Sequence, residues 1–136
     1  MRIWLLSDLH IDINANTRPF VLPDPRPDHD VVVVAGDICA GMVKGVRWIA
    51  AQGFTRPVIY VAGNHEPYGF AIDTQIAKAK AEASQHGNIH VLENDIVDID
   101  GVRFIGATLW TDYRLMRGDN QRWAMDAAGQ RLVADA

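Results

Sequence analysis

Continuous apolar runs, each ended by a polar residue or a glycine, are the clearest pattern in this chain. They occupy residues 1–6, 31–35, 57–62 and 89–93. A short β-branched run, such as the one from Val31 to Ala35, is typical of a strand that is buried on both faces of a parallel sheet. The pattern therefore predicts four strands, of which the second and third are buried on both faces.

Apolar residues at helical spacing separate these strands. Residues 42–52 and about 70–85 each carry an apolar stripe, formed by Val43, Val46, Ile49 and Ala50 in the first segment and by Ile72, Ile76, Ala79 and Ala83 in the second. Gly53 and Gly87 follow the two stripes, at positions where glycine commonly ends a helix. We therefore expect a helix in each segment.

The rest of the chain contains loop and hairpin signals. Residues 7–29 are polar and rich in proline, which predicts a long loop. Residues 95–99 and 102–109 flank Asp100-Gly101, a dipeptide that favours a β-hairpin turn, and residues 120–133 are a candidate helix.

Strands that alternate with helices, without a linker, predict a single α/β domain over residues 1–136 with a mostly parallel sheet and a β-hairpin.

Polar residues follow the first three predicted strands. They are Asp8 and His10, then Gly36-Asp37, then Gly63-Asn64-His65-Glu66. In an open parallel sheet these three strand ends meet at one edge, where ligands bind. Carboxylate, amide oxygen and imidazole are the ligands that suit Mn²⁺, Fe or Zn²⁺. The sequence therefore predicts a metal site at this edge.

These three groups resemble the first three motif blocks of the calcineurin-like metallophosphoesterases. The third is the most specific, because Gly-Asn-His followed by Asp or Glu is expected only about 0.002 times by chance in such a chain. Residues 106–112 are similar to a core strand and loop of bacterial members, so the resemblance extends from residue 1 to about 126. It implies a layered α/β sandwich, truncated here after its N-terminal half.

The resemblance also implies a role for each residue. Asp8 and His10 would bind a first divalent cation, Asp37 would bridge it to a second, and Asn64 would bind the second. A hydroxide between the two cations would attack phosphorus, and His65 would donate a proton to the leaving oxygen. The expected substrates are small phosphomonoesters or phosphodiesters, and the expected cations are Mn, Fe or Zn.

The sequence departs from the family pattern after these blocks. A later His and a Gly-His-x-His block are absent, since His90 is the last histidine, and the second metal site would be incomplete. We therefore expect a fragment of a longer enzyme, a truncated homologue, or a chain whose partner supplies ligands. The alternative function is a catalytically incomplete module that binds metal or phosphate or acts by interaction. His29, His86 and His90 are assigned to capping or surface roles.

Composition excludes several classes of protein, compartment and partner. Of 136 residues 49% are hydrophobic and 22% are charged, which excludes a disordered chain. One cysteine excludes an internal disulfide, and no apolar run has the length of a signal peptide or a membrane span, so we expect a cytoplasmic protein without a membrane partner. The net charge of −4 argues against nucleic acid as a partner. A half sandwich would expose an apolar sheet face through which copies could associate.

Five residues in or near the motifs have less specific interpretations. Cys39 is expected to pack rather than react, because no neighbouring residue in the sequence lowers its pKa. Glu66 and Asp12 are expected to be structural, and Asp37 is also suited to cap the first helix. Trp110 either borders the substrate crevice or packs in the core.

Overall fold

A computed structural model of the chain describes residues 1–13 and 19–111. Six strands and two helices occur in this part of the chain, in the order β1 Ile3–Leu6, β2 Val31–Ala35, α1 Met42–Ala51, β3 Val58–Val61, α2 Ile72–Ala83, β4 Ile89–Val91, β5 Asp95–Ile99 and β6 Val102–Gly106. Each predicted strand and helix within these ranges is confirmed, with ends that differ by up to three residues. The candidate helix at 120–133 lies outside the described residues.

The first four strands form one parallel sheet in the order β1-β2-β3-β4. Each strand is followed along the chain by its neighbour in the sheet, so the sheet grows in one direction from β1. The carboxyl ends of all four strands therefore meet at the same edge, as the alternation of strands and helices predicted. This edge carries the residues of the candidate site.

One face of the sheet packs against both helices. The register places Trp4, Val32 and Val58 on this face, together with Leu6, Val34 and Tyr60. They form a core with the buried residues of the helices, among which are Met42, Val46, Ile49, Ala79 and Ala83. Burial of these apolar side chains is the main contribution to the stability of this layer.

The opposite face is covered by an antiparallel hairpin of β5 and β6. Ile59 of β3 and Leu92, which follows β4, pack with Ile99 of the hairpin in a second core. Towards β1 this face is open, since Ile3 and Leu5 are 54% and 63% exposed. The observed mixed α/β fold, with a mostly parallel sheet and a hairpin, confirms the predicted fold class.

The two helices of the described residues are short. Helix α1 has 10 residues and α2 has 12, and neither is long and apolar enough to cross a membrane. Gly41, not Asp37, occupies the position before α1, and its N–H donates to the carbonyl of Glu66. The predicted capping role of Asp37 is therefore wrong, and its side chain is available to the strand edge.

Candidate metal centre

Three of the predicted metal ligands converge at the carboxyl edge of the sheet. Asp8, His10 and Asp37 each offer one ligand atom, and these atoms all lie within 4.8 Å of one another. Asp8 and His10 follow β1 and Asp37 follows β2, so two adjacent strands bring the group together. The distance between His10 Nε2 and the nearer carboxylate oxygen of Asp37 is 4.0 Å, which leaves space for an ion between them.

The backbone holds these three residues in an uncommon conformation. Asp8, His10 and Asp37 have φ angles of +54°, +43° and +55°, in the left-handed region that non-glycine residues seldom adopt. The N–H of Asp8 donates to the carbonyl of Gly36, and the N–H of His10 donates to that of Asp37. The two loops thereby continue the pairing of β1 and β2 and aim their side chains at a common point. Such conformations concentrate at functional sites.

Two glycines let the loops after β2 and β3 approach closely. Gly36 has a φ of +84°, and a Cβ on it would lie 2.5 Å from the nitrogen of Gly63. A Cβ on Gly63 would lie 2.1 Å from Oδ1 of Asp37. A side chain at position 63 would push the Asp37 carboxylate away, and one at position 36 would push apart the ends of β2 and β3. Gly63 is therefore required by contact alone, and Gly36 by contact as well as by its backbone angle.

The side chain of Glu66 joins the loops after β2 and β3 through hydrogen bonds. Its side chain is completely buried and accepts four hydrogen bonds. Oε2 accepts the backbone N–H groups of Asp37 and Gly63, and Oε1 accepts the N–H of Ile38 and the hydroxyl of Tyr60. A carboxylate can be buried when its oxygens are satisfied in this way. The structural role expected for Glu66 is therefore confirmed.

His65 lies next to the three-residue group. Its backbone N–H donates to Oδ1 of Asp37 at 2.9 Å, and its ring is 5.0 Å from the ring of His10. Tyr68 also packs edge-on against this ring, with ring centroids 5.2 Å apart. The imidazole is thus held at the edge of the candidate metal centre.

Asp12 is a neighbour of His65 that the sequence reasoning assigned only to structure. Its Oδ2 accepts the N–H of Ala40 at 2.9 Å and lies 3.4 Å from Nε2 of His65. Partial burial acts to raise the pKa of Asp12, but the backbone N–H groups and the nearby His65 together lower it below its usual range. Only the position of Asp12 two residues after His10 could have suggested this contact.

The other predicted site residues differ in their surroundings. Asn64 follows β3 at the same edge of the sheet and is exposed. His29 packs against Trp4 and Phe54 near the start of β2, whereas His86 is exposed just after α2. His90 is part of β4, opposite Ile59 in the register. None of these three histidines belongs to the ligand group found within residues 1–13 and 19–111.

A second carboxylate at the strand edge was also missed. Glu93 follows β4, and its Oε2 accepts both the N–H and the hydroxyl of Thr108. The same hydroxyl contacts the carbonyl of Ala62 at 2.9 Å, so the segment after β6 is tied to the end of β3. Trp110, two residues further on, is 53% exposed, which excludes the core position that was one of its two expected roles.

Cys39 and Tyr60 are buried beside the centre. Burial, with the negative charges of Asp12 and Glu66, raises the pKa of Cys39 to about 11. Burial also raises the pKa of Tyr60 strongly, and the Glu66 carboxylate, which accepts a hydrogen bond from the Tyr60 hydroxyl, raises it further. Both groups stay protonated at neutral pH, so the expectation that Cys39 packs without reacting is consistent with its surroundings.

The residues present suit a divalent cation. Two carboxylates and an imidazole are the donor set of Mn, Fe or Zn sites, and the three ligand atoms are close enough to share one ion. Nδ1 of His10 and Nε2 of His65 are both buried and make no hydrogen bond within the described residues. Buried nitrogens without a hydrogen-bond partner at a polar strand edge are consistent with a site that binds a metal ion or a ligand.

Comparison with known proteins agrees with this geometry. The sequence profile of the calcineurin-like phosphoesterases matches residues 1–131. An uncharacterized protein of Acanthamoeba polyphaga mimivirus is 35% identical over an alignment of 121 positions, and the match covers 79% of this chain and 43% of that relative. The chain thus spans less than half the length of this relative. The profile match across nearly the whole sequence shows that the chain belongs to the calcineurin-like phosphoesterase family.

Proposed function

We propose that the chain is a metal-dependent phosphoesterase that hydrolyses phosphomonoesters or phosphodiesters. The observation that carries the proposal is the convergence of Asp8, His10 and Asp37 within 4.8 Å, beside an imidazole that is hydrogen-bonded through its backbone to Asp37. Asp8, His10 and Asp37 would hold one divalent cation, and Asp37 and Asn64 would provide ligands for a second. Bound cations of this kind neutralise phosphate charge and activate water.

The protein's own residues hold the metal ligands in position and supply a proton to the leaving oxygen. Glu66 accepts the backbone N–H of Asp37, and the Asp37 carboxylate accepts the backbone N–H of His65, so these two contacts hold the carboxylate in place when a charged ester binds. His65 lies at the rim of the group and donates a proton to the leaving oxygen, which stabilises the alcohol as it departs. The network beneath the site preserves this arrangement without reorganisation during the reaction.

Hydrolysis by the purified chain tests the proposal. With Mn²⁺ added, we expect cleavage of 4-nitrophenyl phosphate or its bis ester, and the preferred substrate distinguishes monoesterase from diesterase activity. Asp37→Asn should lower kcat on the order of 10²-fold or more. His65→Ala should do so for an alkyl ester but less for the 4-nitrophenyl ester, whose leaving group needs little protonation. His86→Ala, which alters an exposed histidine after α2, is the matched control and should keep the wild-type rate.

The second candidate is a non-catalytic module that binds one metal ion or a phosphorylated ligand. It is favoured by the single three-residue ligand group within residues 1–13 and 19–111, since the donors for a second cation are fewer. Binding of no more than one Mn²⁺ per chain, without hydrolysis of either ester, would support this candidate. Two bound ions together with metal-dependent hydrolysis would exclude it.

A further inference from the structure

Tyr68 is a half-exposed aromatic residue at the rim of the candidate centre. Its ring meets the ring of His65 edge-on, with centroids 5.2 Å apart and planes at 80°, while 44% of its surface remains exposed. Within the described residues its hydroxyl makes no hydrogen bond that would hold it for structural reasons. The ring is therefore fixed on one side by His65 and is open to a ligand on the other.

The turn that carries Tyr68 is tied to the site residues. The N–H of Tyr68 donates to the carbonyl of His65, and the N–H of Phe70 donates to that of Pro67. Phe70 is a second aromatic residue of this turn and is 52% exposed. Exposed aromatic rings next to a polar centre are typical of surfaces that bind an apolar ligand group.

The position of His65 assigns this surface to one part of the substrate. If His65 gives its proton to the leaving oxygen, the leaving group lies next to His65, and Tyr68 is an exposed ring in contact with that imidazole. Asp12, 3.4 Å from the same imidazole, places a negative charge beside it. An anionic leaving group would be repelled there, whereas an uncharged aromatic group would stack.

We infer that Tyr68 selects phosphate esters of uncharged aromatic alcohols by stacking on the leaving group. This inference rests on the proposed phosphoesterase function and names the substrate class of that same site. Stacking on one ring should improve kcat/KM by about three- to tenfold. The gain should come through substrate binding and so be larger in KM than in kcat.

The test compares three alkyl phosphates whose leaving groups have similar basicity. These are 2-phenylethyl phosphate, butyl phosphate and 2-(4-carboxyphenyl)ethyl phosphate, each assayed with Mn²⁺. The wild-type chain should prefer the phenylethyl ester over both others. Tyr68→Ala should bring the ratio of kcat/KM for the phenylethyl and butyl esters close to one, and Tyr68→Phe should preserve it. Phe20→Ala is the matched control, since it removes another part-exposed ring, which packs on Trp48 in α1.

The possible outcomes separate this inference from the proposed function. Hydrolysis of all three esters with no aromatic preference, or a preference that Tyr68→Ala leaves unchanged in a folded variant, would overturn the role of Tyr68 and leave the phosphoesterase intact. A faster rate for the carboxylate-bearing ester would overturn the selection for an uncharged group. No hydrolysis of any ester would overturn the proposed function and this inference with it.

Discussion

The carboxylate of Glu66 accepts the backbone N–H of Asp37 at 3.0 Å, across 29 residues of sequence. Through its other contacts it also fixes Ile38, Gly63 and the hydroxyl of Tyr60. One buried side chain thus sets the separation of two strand-end loops, of which one provides a candidate metal ligand and the other the candidate proton donor. The third motif block, Gly63-Asn64-His65-Glu66, therefore contains both the candidate proton donor and the carboxylate that holds the two loops together.

Replacing this carboxylate should destabilise the fold. In Glu66→Gln one oxygen becomes an NH₂ group that faces two buried donors, and the cost is on the order of 3 kcal/mol in the free energy of unfolding. Urea denaturation monitored by circular dichroism measures it. Glu82→Gln is the matched control, because Glu82 pairs with Arg47 at the surface and its loss should lower stability much less. Equal losses in the two variants would contradict the central role of Glu66.

The effect of the close contact between Gly36 and Gly63 on stability can be measured separately from the effect of the positive φ angle of Gly36. Gly36 and Gly53 have φ angles of +84° and +65°, but only Gly36 has atoms within 4 Å of an added Cβ. Gly53→Ala should therefore cost roughly 1 kcal/mol in unfolding free energy, from backbone strain alone. Gly36→Ala should cost about 3 kcal/mol, because the ends of β2 and β3 must part. Similar values for both variants would show that contact with Gly63 is unimportant.

Much of the fold could be predicted from local pattern. The run from Val31 to Ala35 is a strand with those bounds, and the stripe from Val43 to Ala50 lies within α1. These segments are predictable because a strand that is buried on both faces appears in the sequence as a continuous apolar run. A helix that is buried on one face appears as apolar residues at helical spacing. The coverage of the second sheet face by the hairpin was not predictable, since β5 and β6 carry no signal of which surface they pack against.

The site was predictable to the extent that it depends on strand ends. Asp8, His10 and Asp37 meet because parallel strands share an edge, and this topology follows from the alternation of strands and helices. The contact of Asp12 with His65 depends on how the loop after β1 turns. The four bonds of Glu66 depend on how two loops pack, which no short sequence pattern specifies.

The thiol of Cys39 should be unreactive in the folded chain. Burial, together with Asp12 and Glu66, raises its pKa to about 11, so almost no thiolate exists near neutral pH. Because the chain has one cysteine, a disulfide reagent such as 5,5′-dithiobis(2-nitrobenzoic acid) reports on this site alone. We expect labelling at pH 8 to be at least about 10²-fold slower in buffer than in guanidinium chloride. Rapid labelling of the native chain would contradict the described packing.

The ion pair of Arg2 and Asp30 should give the stability an acid-sensitive component. Hydrogen bonds from the Arg2 side chain and backbone lower the pKa of Asp30 to about 2. Because this pKa is lower in the folded than in the unfolded chain, the stabilisation is complete above about pH 4 and is lost as the pH falls towards 2. The difference in Tm between wild type and Asp30→Asn should therefore be largest near pH 6 and shrink below pH 4. A difference independent of pH would exclude this linkage.

Direct measurement of Mn²⁺ binding tests the candidate centre itself. Isothermal titration calorimetry on the wild-type chain and on Asp37→Asn, with folding of both verified by circular dichroism, isolates the ligand that the loop after β2 provides. We predict saturable binding to the wild-type chain and at least a tenfold weaker affinity in Asp37→Asn, because the variant replaces an anionic ligand by a neutral amide. Equal affinity in the two chains, or no binding to either, would contradict a metal centre built on Asp8, His10 and Asp37.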